Sequence, residues 1–265
     1  MQQKIDVLDK GFVRLVDVLP SNIPAGYTAD YAVVEAARVS YKGGLKTPEE
    51  DKRLLNYLYE HKHFSCFEMA SIKLHIKAPI FISRQWQRHR NGAINEISGR
   101  YVELKDEFYS PTKEVIKQQS TKNKQGTGEK VLDNLADKFL EILGKLRINF
   151  SDYQTLVSQN LSREQARIIL PVSTYTEFYW YVSLRSLLNF IDLRDSPHAQ
   201  GEMQEYGKAV KTIANQVFPW TMEAYEKQKN IVSFTKDELS KLTISIKDGT
   251  SISERQLSEL KEKLK

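Results

Sequence analysis

Cysteine is almost missing from this chain. Among 265 residues only Cys66 carries a thiol, which excludes an internal disulfide and any multi-cysteine zinc site and suits a reducing compartment. Long apolar runs are lacking too, and none approaches the roughly 20 residues that a membrane span requires. Residues 1–20 alternate charged and apolar positions, so no signal-peptide core is visible, and a cytoplasmic protein is expected. No Gly-x-Gly-x-x-Gly turn occurs, so the dinucleotide cradle of a βαβ unit is not offered. His61, His63 and His75 stand without the carboxylates a metal site needs, and no metal is assigned. Neither sign of charge dominates: 39 basic against 34 acidic residues leave a net +5. That balance favours anionic partners without demanding nucleic acid.

The length allows one large domain or two small ones. Helix-start signals divide the chain. Thr47-Pro48-Glu49-Glu50 predicts a helix presenting Leu54, Leu55 and Leu58 inward and stopping near His61. Asp30 predicts a capped helix through Ala37, and Ser162 with Gln165 predicts a capping box before Ala166 to Leu170. Ser71 to Lys77 alternates as a half-buried strand. Pro79 then opens a helix expected to run to His89, with Gln85, Arg88 and His89 on one face. Asn91-Gly92 breaks it, leaving Glu96 to Arg100 on a loop.

Lys113 to Lys130 holds five lysines and almost nothing apolar, and reads as a mobile loop or lid. One amphipathic helix is expected along Leu132, Leu135, Phe139, Ile142, Leu146 and Phe150. Thr174 to Val182 reads as a strand, Ser183 as the cap of a helix to about Leu193, and Met203 to Val217 as a packed helical seam. The composition shifts after Gln228, so the expected organisation is a catalytic domain over 1–228 and an appendage over 229–265. In the appendage, Thr235 with Glu238 and Ser253 with Gln256 read as capping boxes around a strand and turn at Ile244 to Gly249.

The chemistry concentrates between Arg84 and Tyr101, where four arginines and His89 face a single acid, Glu96. Fixed cations beside small residues suit a phosphate ester, and Ser98-Gly99-Arg100 can donate a hydroxyl, an amide and a guanidinium fork to one phosphate. Arg167, Arg185 and Arg194 recur in apolar or aromatic surroundings, where an unpaired guanidinium is costly. Arg185 and Asn189 share one helix face at i and i+4. His89, flanked by Arg88 and Arg90, is expected to be neutral. Ser98 lacks the company of a nucleophilic triad, and a ligand role is preferred. A solvated arginine face, or ion pairs with distant acids, is the plain alternative.

Arg88-His89-Arg90, seven residues and Ser98 resemble the signature of the flavin-dependent thymidylate synthases. The resemblance extends through Ala36-Ala37-Arg38-Val39-Ser40, His63-Phe64-Ser65-Cys66-Phe67-Glu68, Lys77 to Phe81, Ala166 to Pro171, and Arg185 to Phe190. Leu193-Arg194 and His198-Ala199-Gln200 complete it.

It implies a mixed α/β fold with helices packed on a mixed sheet, and a homotetramer with shared active sites. It also implies methylation of dUMP to dTMP in de novo synthesis. The one-carbon unit comes from 5,10-methylenetetrahydrofolate, and the hydride from FAD that NADPH reduces.

By the same resemblance Gln85, Arg88, Glu96, Ile97, Ser98, Gly99, Arg100, Arg167 and Arg194 bind dUMP. Ser40, Ser65, Arg88, His89, Arg90, Glu96, Ser183, Arg185 and Asn189 contact FAD, and Arg194 ionises the uracil. Ser183 stands where many members carry asparagine, and Ser65 where threonine is commoner. The 113–130 segment and the tail lie outside the pattern. Nothing marks Cys66 as an attacking thiolate, and it reads as a packing residue. The competing readings are a basic nucleic-acid module and a member that keeps the fold without the activity.

Overall fold

The alternation at the N-terminus forms a hairpin of two strands, β1 (Lys4–Val7) and β2 (Gly11–Leu19). After α1 (Tyr31–Ala37) and α2 (Pro48–Glu60) come β3 (Ser71–Pro79), α3 (Ile80–Trp86) and β4 (Gly92–Glu96). A small hairpin, β5 (Lys117–Gln119) with β6 (Thr127–Lys130), precedes α4 (Asp133–Lys145), α5 (Ile148–Ser158) and α6 (Arg163–Ala166). The chain continues as β7 (Tyr175–Ser183), α7 (Leu184–Arg194), α8 (Gly201–Val217) and α9 (Pro219–Lys229). This computed structural model describes residues 4–40, 44–121, 126–231, 235 and 237–238, and the chain divides into units Met1–Tyr225 and Glu226–Lys265.

The main sheet has the order β1-β2-β3-β7-β4. All four pairings are antiparallel, where a mixed sheet was expected; the helices and sheet together remain a mixed α/β arrangement. Period-2 alternation gives the sheet one closed face. Val13, Ile72, Leu74, Ile76, Phe178, Trp180 and Val182 are buried there against Leu187, Ile191, Met203, Tyr206 and Ile213 of α7 and α8.

β3 runs directly into α3 and β7 into α7, and the two strands are paired from Ser71↔Ser183 to Pro79↔Tyr175. The helices therefore leave opposite ends of the pair and approach one another across the closed face. Trp86 of α3, Trp180 of β7 and Phe190 of α7 lock that approach, with Phe190 centred 4.5 and 4.9 Å from the two indoles. Each buried aromatic contributes roughly 1.5–3 kcal/mol.

Several local expectations need correction. Asp30 makes no side-chain bond to α1. Its buried carboxylate instead accepts from the Trp220 and Thr221 amides at 3.0 and 2.9 Å, capping α9, a helix the sequence did not reveal. Ser162 makes no side-chain cap, and the segment it opens is the single turn α6 followed by a 3-10 turn, Arg167–Ile169. The helix expected through Phe150 breaks after Lys145, because its halves face different ways. Phe150 turns inward against Phe108 and Tyr153, whereas Leu132, Leu135, Phe139 and Ile142 stay exposed. The 113–130 segment, expected as a loop, pairs with itself as β5 and β6. Gly92 to Glu96 is a strand because the edge of β7 offers unpaired backbone groups, and such pairing overrides weak local preference.

Other expectations hold. Thr47 caps α2 through the Glu50 amide at 3.3 Å, and Ser183 caps α7 through Ser186 at 3.4 Å. In the second unit, Thr235 and Glu238 make the reciprocal bonds of a capping box. The segments at 244–249 and 253–256 lie outside the described residues.

Gly207 decides how closely α8 approaches the end of α7. A Cβ there would lie 2.7 Å from the Arg194 carbonyl carbon and 2.8 Å from its oxygen, a clash with backbone. Gly144, near the end of α4, has nothing within 4 Å. The two glycines therefore predict opposite signs. Gly207→Ala should cost about 1–3 kcal/mol of unfolding free energy through overpacking. Gly144→Ala should gain up to about 1 kcal/mol from helix propensity. Denaturant melts that moved both variants in the same direction would contradict this packing.

Candidate functional site

Arg194 ends α7 and reaches across to the end of α3. Its Nε donates to His89 Nε2 at 2.9 Å and its Nη2 to the Gln85 carbonyl at 3.3 Å. No carboxylate among the described residues lies within ion-pair distance of it, and burial works against its charge. His89 packs edge-on against Phe190, centroids 4.8 Å apart, and its pKa falls to about 4. Desolvation is the main cause and Arg194 the second, rather than the flanking arginines expected from sequence. Because Nε2 accepts, the neutral ring carries its proton on Nδ1. Arg88 and His89 follow α3 in a turn, so the expected helical face through Gln85 is only partly formed.

Glu96, the last residue of β4, is held among the described residues by neutral donors. Its Oε1 accepts from Thr176 at 2.6 Å and Ser83 at 3.3 Å, and its Oε2 from Gln87 at 2.8 Å. Ser83 on α3 and Gln87, the residue that caps its C-terminus, are i and i+4, a spacing that could have flagged them; Thr176 is brought in by the sheet.

The following turn, Ile97 to Arg100, is closed by the Ser98 carbonyl accepting from Tyr101 and by Ser98 Oγ accepting from the Arg100 amide at 3.3 Å. Gly99 is buried under Arg167, whose Cδ would be 3.3 Å from a Cβ at that position. That close approach joins the signature turn to the Arg167–Ile169 turn. Two exposed ion pairs staple the same junction: Arg100 with Glu164 at 2.8 Å and Arg163 with Glu103 at 3.3 Å.

A third group lies at the other end of α7. Lys62, His63, Phe64, Ser65, Cys66, Arg185, Ala37 and Leu58 line a cleft of about 510 Å³. Arg185 pairs there with Glu68 at 2.5 Å. Ser40, Ser65 and Asn189 are exposed, and the Ser183 hydroxyl is engaged in capping α7.

Of the three arginines expected in apolar surroundings, only Arg194 is half-buried; Arg167 and Arg185 are exposed, and Arg185 has a carboxylate partner. Among the described residues, Arg84, Arg88, Arg90, Arg167 and Arg194 make no ion pair with an acid. The signature and its neighbours thus carry, among the described residues, several uncompensated arginines, a neutral imidazole, and an immobilised carboxylate paired with no cation. Such a surface is complementary to an anionic ligand with hydrogen-bonding edges.

The family profile described as "Thymidylate synthase complementing protein" matches residues 25–220. A flavin-dependent thymidylate synthase from Dictyostelium discoideum is 41% identical over 266 residues, covering 99% of this chain and 86% of that protein. The chain belongs to the flavin-dependent thymidylate synthase family. A family member from Thermosipho africanus is 46% identical over 222 residues, covering 83% of this chain and 93% of its own. One from Treponema denticola is 42% identical over 270 residues and covers 100% of this chain and 98% of its own. Among solved structures, a UMP/dUMP methylase from Streptomyces cacaoi bound with 5-Br dUMP superposes with a TM-score of 0.71 at 30% identity. That match covers 84% of this chain and 97% of the methylase.

In this member of the family, the neutrality of His89 has a measurable consequence. A folded pKa near 4 against about 6.5 unfolded means the unfolded chain binds the extra proton first. This stabilising contribution is complete above pH 6.5 and is lost as pH falls toward 4. NMR titration of the ring should show a midpoint near 4, rising in Arg194→Ala. A midpoint of 6.5 would contradict the assignment.

Proposed function

We propose that this chain methylates dUMP to dTMP in de novo synthesis. The one-carbon donor is 5,10-methylenetetrahydrofolate, and FAD, reduced by NADPH, is the hydride source. The observation that carries the reading is Arg194, a half-buried guanidinium whose partners among the described residues are neutral acceptors. Uracil carbon-5 is a weak nucleophile until negative charge builds on the ring. A guanidinium kept free of carboxylates stabilises that charge without being consumed.

Gln85, Arg88, Ile97, Ser98, Gly99, Arg100 and Arg167 bind dUMP in this account. The exposed fork of Arg167 and the Ser98-Gly99 turn face the phosphate. Glu96, locked by Thr176, Ser83 and Gln87, supplies a fixed acceptor to both ligands.

The residues around the cleft fit a flavin nucleotide: Lys62 and Arg185 offer charge, Ser65 a hydroxyl and Phe64 a ring. Ser40, Ser65, Arg88, His89, Arg90, Glu96, Arg185 and Asn189 hold FAD in this account. Ser183, whose hydroxyl caps α7, contributes through position rather than donation. When bound, reduced FAD supplies the hydride, so the chain's task is placement and exclusion of water. His89, neutral and apolar on its Phe190 side, provides a flat surface without adding charge. Cys66 is a half-buried free thiol packed against the core, and no thiolate is required of it.

The natural assembly is a homotetramer with shared sites, in the cytoplasm, without nucleic-acid or membrane partners. No helix among the described residues is long and apolar enough to cross a membrane. Support for assembly comes from α4. Leu132, Leu135, Phe139 and Ile142 follow the 3-4-3 spacing of a helix seam, and they are 73, 54, 44 and 50% exposed. Phe139→Glu should therefore shift light-scattering mass to smaller species. An unchanged mass would remove α4 from the interface.

Arg194→Ala should lower dTMP formation at least about a hundredfold while the protein stays yellow with bound flavin. Persistence of tritium release from labelled dUMP at the parental rate would refute the assigned role.

A further inference from the structure

The side chain of Gln85 ends a chain of hydrogen bonds whose direction is imposed from inside the protein. Glu202, in the first turn of α8, can only accept while ionised. Its Oε1 accepts from the Tyr109 hydroxyl at 3.3 Å, and its Oε2 accepts from the Gln200 amide nitrogen at 2.9 Å. Tyr109 is 7% exposed, and burial foremost, with Glu202 next, holds its pKa up, so it stays a donor.

With its nitrogen committed to Glu202, Gln200 turns its Oε1 outward, where it accepts from Gln85 Nε2 at 2.5 Å. Gln85 is then oriented as well: one amide hydrogen is engaged, and Oε1 is left as an acceptor with no partner among the described residues. The backbone carbonyl of the same residue accepts from Arg194. Reversing any amide in this chain would set donor against donor, or oxygen against carboxylate, and would leave polar groups unpaired.

We infer that Gln200 and Glu202 are positioning residues which fix the Gln85 side chain with its amide oxygen toward the nucleotide, so that the site selects a ligand offering a hydrogen-bond donor there. On dUMP that donor is the imide N–H of the base or the ribose 3′-hydroxyl. The inference rests on the dUMP reading of the site.

The test measures equilibrium binding of dUMP, dCMP and 3′-deoxy-dUMP to the flavin-loaded full chain and to Glu202→Gln, Gln200→Met and Gln200→Glu. Glu202→Gln removes the acceptor-only anchor and Gln200→Met removes the relay. Each should cut the preference for dUMP over one of the two analogues about tenfold, roughly 1.4 kcal/mol. A fall against dCMP identifies the imide, and a fall against the 3′-deoxy analogue identifies the hydroxyl. Gln200→Glu still accepts from Gln85 and should keep the parental ratio, even though it adds charge beside Glu202. Ratios cancel the effect of that charge on the phosphate.

A purely structural role predicts the opposite order, with Gln200→Glu disturbed most. That order, or unchanged ratios in Glu202→Gln and Gln200→Met, overturns the inference. Failure of the parental chain to bind dUMP would instead overturn the functional reading.

Discussion

The site depends on one guanidinium held half out of water by groups that do not neutralise it. Arg194 bonds to an imidazole and a peptide carbonyl, both of which spare its charge, in surroundings where charge is penalised. A surface arginine would lose its field to solvent, and a salt-bridged one would lose it to a partner. The β3–β7 pair, the Trp86–Trp180–Phe190 cluster and the close passage of α8 at Gly207 all serve to bring the ends of α3 and α7 together around it. His89 stays neutral as a consequence of the same desolvation, which makes it an acceptor for Arg194 rather than a second cation.

Where local chemistry dominates, the sequence was readable. Thr47-Pro48-Glu49-Glu50 starts α2, the alternation of Ser71 to Lys77 is β3, Ser183 caps α7, and the seam from Met203 to Val217 is α8. Where a distant partner decides, it was not. Asp30 stands before α1 but caps α9, because a buried carboxylate goes to the amides that reach it. β4 exists because β7 has a free edge, and the N-terminal alternation shows as a hairpin only once β3 is there to pair. The arginine-rich signature was plain, but the elements that hold it, Thr176 on Glu96 and Gln200 on Gln85, are separated by 80 and 115 positions and leave no spacing to read. The semi-buried character expected of Arg167 and Arg185 failed because Arg167 opens an exposed 3-10 turn and Arg185 lies on the exposed side of the first turn of α7.

Within the chain the expected ligand residues fall into neighbouring groups rather than one closed pocket. Arg194, His89 and Gln85 meet at the helix ends; Gly99 and Arg167 meet at the signature turn; Ser65 and Arg185 border the cleft at the start of α7. Glu96 ties the first two groups together through Gln87 and Ser83. This partial convergence agrees with the proposed assembly, in which a second copy would complete the site, and the exposed apolar residues along α4 are the surface that the assembly proposal uses.

The most direct test of the central claim, that uncompensated arginines hold the phosphate and base of a nucleotide, compares dUMP with deoxyuridine by titration calorimetry at two salt concentrations. The account predicts that removing the phosphate weakens binding about a hundredfold, near 2.7 kcal/mol, and that added salt narrows this gap. Equal affinities for the two ligands, independent of salt, would contradict it.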